Sequence, residues 1–372
     1  MTTIPDHHDD ITVDWLNDVL RSAGEMATVD SFERRPIAEG VGMMATIEMV
    51  DLTYSDGEGP DTVVVKLPAT NEANLGVALA FDLYRREALF YRDLAERTSA
   101  STPRMFFADA EGPGEFALVM EDLRDYRLGD QVVGCELADA EAAVTTLARL
   151  HAPFWDRVDG DDFEFIPYET PSVHGDALRD GAAAGWDPMV ETFGAAVPEH
   201  MRAVRERFLA AIPAMQEWLV TAPSTVVHGD FRMDNLFFGD ESGQEPMVVI
   251  DWQGCLRSKG VRDIAYFLTQ SVPTDLRREH ERDLVERWRS ALEDGGVEGH
   301  PAERAWEDYR RAVLCMWIPV VVIAGTLDSD NDRARAWMTA MIRRCAAAIE
   351  DLGSLDLLPE FEERERDDPT PV

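Results

Sequence analysis

Lysine is nearly absent from this chain: of 35 basic residues in 372, only Lys66 and Lys259 are lysines. Basic residues of either kind are outnumbered by 72 acidic ones, giving a formal charge of −37. A polyphosphate surface would be repelled before contact, so no nucleic acid and no anionic membrane is expected as a partner, and an anionic substrate would need a local basic pocket. The acidity fits a salt-rich cytoplasm, and the arginine bias fits genomic base composition. Cysteine is scarce too. Cys135, Cys255, Cys315 and Cys345 form no Cys-x-x-Cys pair, which argues against a zinc knuckle or a disulfide framework and leaves four small core residues. No uninterrupted apolar run of about eighteen residues appears, and the first ten residues are acidic, so neither a membrane span nor a signal peptide is expected and the cytoplasm is the expected location.

What the chain has is enough apolar material, 45%, to bury a large core and build two lobes. Ile11, Trp15, Leu16, Val19 and Leu20 share one face of a helix expected over residues 10 to 23, which Gly24 ends. Two strands follow, near 31–38 and 45–54, joined by Glu39-Gly-Val-Gly-Met-Met44, where Gly40 and Gly42 permit a tight turn and close backbone approach to a phosphate. Thr62-Val-Val-Val-Lys-Leu67 reads as a buried strand with a lysine inside it. Lys66 is then either an edge residue with its tip in water or a clamp for phosphate. A continuous helix is expected over residues 72 to 97, with Leu75, Leu79, Ala80, Leu83, Phe90 and Leu94 on its apolar stripe and Glu87 among them. A carboxylate in that position requires a cation, and Lys66 is the candidate. Strands near 104–108 and 116–120 lead into Glu121-Asp-Leu123.

Beyond this point helical patterns dominate. His151 lies on the apolar stripe of the helix 137–155 and reads as a core histidine. Residues 156 to 181 read as an irregular loop, helices are expected over 198–221, and others over 262–270, 275–294, 302–325 and 331–352, with Asp263 near a helix start where a carboxylate suits the dipole. Residues 358 to 372 look like a solvated acidic tail.

The chemistry concentrates in Thr225-Val-Val-His-Gly-Asp230-Phe-Arg-Met-Asp-Asn235 and Met247-Val-Val-Ile-Asp251-Trp-Gln253. Each apolar run ends in an acid, which suggests buried strands delivering carboxylates. Asn235 follows Asp230 by five positions, the interval between Asp and Asn in the kinase loop His-Arg-Asp-x-x-x-x-Asn. His174-Gly-Asp176 repeats the start of this motif, but Gly181 stands where the asparagine would be and no apolar strand precedes it. Arg257, Lys259 and Arg262 follow Asp251 and read either as a solvated loop or as contacts for phosphate or an acidic substrate.

With Lys66, Glu87, Glu121-Asp-Leu123, His228-Gly-Asp-Phe-Arg-Met-Asp-Asn235 and Ile250-Asp-Trp-Gln253 in this order, the chain resembles the aminoglycoside phosphotransferase and choline kinase superfamily. Arg86-Glu-Ala-Leu-Phe-Tyr91, Leu147-Ala-Arg-Leu-His-Ala-Pro-Phe-Trp155 and Asp263-Ile-Ala-Tyr-Phe-Leu268 look most like its ecdysteroid-kinase-like branch. The resemblance covers about 37–352. It implies an α+β, protein-kinase-like fold of two lobes: an N-terminal ATP-binding lobe, 1–122, with an antiparallel sheet plus helix, and an α-rich catalytic and substrate lobe, 123–357, before the tail, 358–372. It further implies ATP and Mg2+ as cofactors and a small-molecule hydroxyl as acceptor. Asp230 would be the catalytic base, Asn235 and Asp251 metal ligands, Lys66 a phosphate clamp held by Glu87, Glu121 and Leu123 the adenine-reading hinge, and His228 structural. Trp252-Gln253 in place of Phe-Gly, Gly229 in place of the loop arginine and the lack of an Ala-Pro-Glu segment disfavour a protein kinase. An aminoglycoside O-phosphotransferase and a nucleotide-binding pseudokinase are the alternatives.

Overall fold

The computed structural model describes residues 4–5, 7–37, 44–241 and 243–367. Gly40 and Gly42 lie outside them. The chain divides into two compact units, Met1–Arg127 with Gly239–Gly254, and Leu128–Phe238 with Cys255–Val372.

In the first unit five strands, β1 (Thr28–Pro36), β2 (Ala45–Asp56), β3 (Thr62–Pro68), β4 (Met105–Gly112) and β5 (Glu115–Glu121), form one sheet in the order β1-β2-β3-β5-β4. All four pairings are antiparallel. Helix α1 (Val13–Ser22) starts where the Thr12 hydroxyl accepts the Trp15 N–H at 3.1 Å, satisfying a donor that the first turn leaves open. It buries Trp15, Leu16, Val19 and Leu20 against Val50, Val63, Val65, Leu67 and Val119. Each such side chain contributes about 1.5–3 kcal/mol on full burial. The packing face expected for this helix is therefore the one used.

Beyond β3 the expected continuous helix is broken. The chain forms α2 (Glu72–Ala80), turns at Asp82 with φ of 54°, and resumes as α3 (Leu83–Leu89) before a wide π turn, Phe90–Leu94. Aspartate tolerates this left-handed conformation better than most residues. The buried Arg86 side chain donates from Nε to the Phe81 carbonyl at 3.0 Å, satisfying an oxygen freed by the break. As a result Leu79 and Ala80 face solvent, and the buried residues include Tyr84, Glu87, Ala88, Tyr91 and, as expected, Phe90 and Leu94. Glu87 keeps its inward place; the apolar neighbours assigned to it from α2 do not.

In the second unit, helices follow as α4 (Leu137–His151), α5 (Val173–Phe193), α6 (Glu199–Ala203), α7 (Arg205–Val220), α8 (Val261–Gln270), α9 (Thr274–Asp294), α10 (Ala302–Cys315), α11 (Trp317–Thr326), α12 (Asp332–Asp351) and α13 (Leu358–Asp367). A two-stranded antiparallel ribbon joins Thr225–Val227 to Leu256–Ser258. Two expectations are corrected here. Residues 173–181 are the start of α5 rather than loop, because the Ser172 hydroxyl caps the Gly175 N–H at 3.1 Å and the glycines, poor helix formers alone, let helices meet. A Cβ on Gly325 of α11 would lie 2.0 Å from the Gly185 carbonyl of α5. The helices expected over 198–221 are α6 and α7, which meet at Val204. The supposed solvated tail is helical through Asp367, with Leu358 and Phe361 buried and the Phe361 ring 6.2 Å from that of Trp218. All four cysteines are free and buried, as core residues should be. Ala302–Thr326 is long and apolar enough to cross a membrane by composition, but 67% of its apolar stretch is buried inside the protein.

Candidate active site

The first unit brings three of the expected residues together. β3 is the middle strand of the sheet, so Lys66, paired with Ile47 on one side and Leu118 on the other, is not an edge residue. Its Nζ lies 2.7 Å from Glu87 Oε2 and 2.9 Å from Asp251 Oδ1. Side-chain exposure is 8% for Lys66, 1% for Glu87 and 21% for Asp251, so only the aspartate reaches solvent appreciably. Burial works to lower the Lys66 pKa, but attraction to Asp251 and Glu87 outweighs it and keeps the ammonium charged. Burial pushes the Glu87 carboxyl up to about 7, against the pull of Lys66 and with the help of Asp251. One ammonium shared by two carboxylates cannot hold both fully ionised in a dry site.

Asp251 is aimed by its backbone. Its φ is 68°, a left-handed geometry that a non-glycine residue holds only when its surroundings enforce it. Here the next residue is the anchor: Trp252 stacks on Phe90, centroids 3.7 Å apart, and donates from Nε1 to the Val249 carbonyl at 3.2 Å. Gln253 Nε2 donates to Asp251 Oδ2 at 3.3 Å. At the end of β5, the Glu121 N–H donates to the Arg104 carbonyl, and the Leu123 carbonyl accepts from the Tyr126 N–H, both at 2.9 Å.

The second unit contains the other pair. Asn235 Nδ2 donates to the Asp230 carbonyl at 2.9 Å and to its Oδ2 at 3.1 Å, so the five-residue interval closes a small ring. Oδ2 also accepts from Arg232 Nε at 3.2 Å, and Oδ1 accepts from the Tyr266 hydroxyl at 2.7 Å. Arg232 continues to Asp234 at 3.2 Å and lies over the Trp337 ring. Gly229, with φ of 83°, makes the turn that a side chain would strain.

Asp263 lies in the first turn of α8, as expected, and does more there than face the helix dipole. It is fully buried, and its carboxylate accepts the His228 N–H at 2.7 Å and the Gly229 N–H at 3.1 Å. Burial opposes its charge, while the His151 hydrogen bond and neighbouring positive charge, that of Arg262 included, hold its carboxyl below the usual range. His151 Nδ1 faces the Trp288 Nε1 donor at 3.2 Å. Trp donates only, so the proton sits on His151 Nε2, 3.4 Å from Asp263. This confirms His151 as a core residue. His228 is likewise fully buried, its Nδ1 accepting the Asp230 N–H at 3.3 Å.

Two of the three cations after Asp251 are not in a solvated loop. Lys259 is buried and donates to the Thr221 and Ala222 carbonyls; Arg262 is buried against Glu169 at 2.7 Å and donates to the Gly229 carbonyl. Arg257 donates to the Val158 carbonyl and lies over Tyr168. Lys259 and Arg262 are thus bound within the fold. His174 and Asp176 sit in the first turn of α5, and Asp176 pairs with Arg179.

A model of the ecdysteroid kinase-like family matches residues 40–295. The chain belongs to the ecdysteroid kinase-like family. Solved structures with a similar fold include choline kinase from Cryptosporidium parvum Iowa II, with TM-score 0.55, 10% identity and coverage of 94% of this chain and 98% of that one. A microcompartment-associated aminopropanol kinase gives 0.53 at 15% identity, covering 92% and 98%. A mutant aminoglycoside 2'-phosphotransferase-IIIa, solved with GDP, gives 0.52 at 11%, covering 95% and 98%. These identities speak for the fold alone, which is protein-kinase-like. No curated protein matches the chain by sequence. Within this kinase-like family member, Asp263 and Tyr266 were the residues that sequence reasoning missed. An aspartate in the first turn of an apolar helix was a faint signal for one; nothing marked the other.

Proposed function

We propose that this protein transfers the γ-phosphoryl group of ATP to a hydroxyl of a small molecule, with Mg2+. The observation that carries the reading is the Lys66 ammonium, buried and held between Glu87 and Asp251 at 2.7 and 2.9 Å. A buried ion triad is a poor device for stability but a good one for presenting a fixed positive charge to phosphate.

In this reading Lys66 positions the phosphates, Glu87 positions Lys66, and the backbone at Glu121 and Leu123 reads the adenine edge. Asp230 orients the acceptor hydroxyl and takes its proton. Asp251 and Asn235 offer hard oxygen donors of the type Mg2+ prefers. Among the described residues no group of three or more His, Cys, Asp or Glu is placed to enclose a metal, as suits an ion that takes few side chains and completes its shell with phosphate and water. When bound, Mg2+ supplies further neutralisation of charge on the phosphates. Catalysis by positioning and charge compensation suits a loose phosphoryl transition state.

The test is a screen of hydroxylated metabolites and sterol-like alcohols, with ATP consumption as readout and Asp230→Ala as control. Phosphorylated product that is lost in the variant is expected. Stabilisation by ATP and Mg2+ with no Asp230-dependent turnover would instead mark a nucleotide-binding module without transfer activity.

A further inference from the structure

The two oxygens of Asp230 are not equivalent. Oδ2 accepts two donors, the charged Arg232 Nε and the amide of Asn235, which occupy the two lone-pair positions a carboxylate oxygen offers. Oδ1 accepts one neutral donor, the Tyr266 hydroxyl at 2.7 Å. We infer that Oδ1 is the oxygen that receives the acceptor's proton, and that Tyr266 is the positioning residue that turns it toward the acceptor. The inference rests on the phosphotransferase reading given above and adds to it which atom acts and what aims it.

Tyr266 can do this because α8 is fixed to the same loop at three places. Arg262 Nη1 donates to the Gly229 carbonyl at 3.2 Å, Asp263 takes the His228 and Gly229 N–H groups, and Tyr266 takes the carboxylate. Tyr266 lies four positions after Arg262 and three after Asp263, the two spacings that put helical residues on a shared face. The loop's main chain and the Asp230 side chain are thus referenced to one rigid element. Burial and the adjacent Asp230 charge raise the Tyr266 phenol well above its ordinary value, so it stays a donor. In the transfer step the acceptor oxygen bonds to the γ-phosphorus while the bond from that phosphorus to the β–γ bridging oxygen breaks. ADP leaves with that electron pair, and the hydroxyl proton moves to Asp230 Oδ1. Tyr266 keeps its own proton throughout.

The experiment uses the full chain with ATP and Mg2+, water as the first acceptor and any hydroxyl compound found in the screen as the second. Tyr266→Phe removes one oxygen. The Asp230 side chain is 33% exposed, so water can replace the lost donor and the variant folds. Its kcat should fall roughly ten- to a hundredfold, the effect of one hydrogen bond to a charged group, with KM for ATP unchanged. Tyr309→Phe is the control, since Tyr309 is also buried and donates to a carboxylate, Glu281 at 2.8 Å. That variant should lower the melting temperature and leave kcat alone. Wild-type kcat in Tyr266→Phe, beside loss of turnover in Asp230→Ala, would overturn the inference and leave the phosphotransferase reading standing. Turnover that does not depend on Asp230 would overturn both.

Discussion

The two units hold their carboxylates in opposite ways. In the first, Glu87 and Asp251 are compensated by a full charge, the Lys66 ammonium at 2.7 and 2.9 Å. In the second, the Asp230 carboxylate is set by an amide, a phenol and a half-shared guanidinium, while a buried aspartate, Asp263, grips the backbone beneath it. Charge pairing suits a group that must present a constant field. Orientation by several weaker bonds suits a base, which has to keep a free lone pair and remain able to accept a proton. In the proposed roles, clamp and base differ in the kind of partner that holds them, not in residue type.

This contrast can be broken at each end. The largest effect is expected from Asp230→Ala, which should lower turnover by about 10²–10⁴-fold, the usual contribution of a general base, with the melting temperature little changed. Lys66→Met should do the reverse in kind. It leaves two carboxylates on a buried site without their cation, a loss of up to about 3–5 kcal/mol, moderated because Glu87 can take a proton. Chemical denaturation measures it, and unchanged stability together with unchanged ATP affinity would refute the ion-triad argument. Asp263→Ala should destabilise by about 1–3 kcal/mol for each of the two orphaned N–H groups and reduce turnover too, coupling fold and function where Asp230→Ala separates them. Glu87→Gln should alter stability least of these, because burial already raises the Glu87 carboxyl and so works against its charged form; weakened ATP affinity in the variant would show that Lys66 has lost its second anchor.

The smallest effect compares the units by pH. His8 in the first and His300 in the second are both lowered from 6.5 by burial, opposed by Glu48 and Asp308 respectively. Below 6.5 the unfolded chain takes these protons first. Their share of stability is therefore complete above that pH and is lost as pH falls through the lower folded values. Melting temperatures of His8→Gln and His300→Gln between pH 7 and 5 should each decline less steeply than wild type.

Much of the site was legible from residue chemistry. A lysine inside an apolar strand and a glutamate on an apolar stripe each raise a question that only the other answers, and the five-residue interval between Asp230 and Asn235 is the size of the ring they close. The helix break at Asp82 was not legible, because the apolar spacing carries on through Leu79 and Leu83 and only the buried Arg86 bond to Phe81 reveals it. Arg262 and Lys259 were misread because an isolated cation in a sequence gives no sign of whether carbonyls or water will surround it.

By itself, the order Lys66, Glu87, Asp230, Asn235, Asp251 carried a family resemblance, and through it an expectation of the fold class and of the candidate reactive groups. Tertiary structure alone decided that Asp230 Oδ2 takes two donors and Oδ1 one, that Asp263 holds the loop as well as starting a helix, and that Tyr266 reaches Asp230 at all. These are facts of angle and distance between segments some 35 residues apart, and hydrogen bonds are too short-ranged for composition or periodicity to record them.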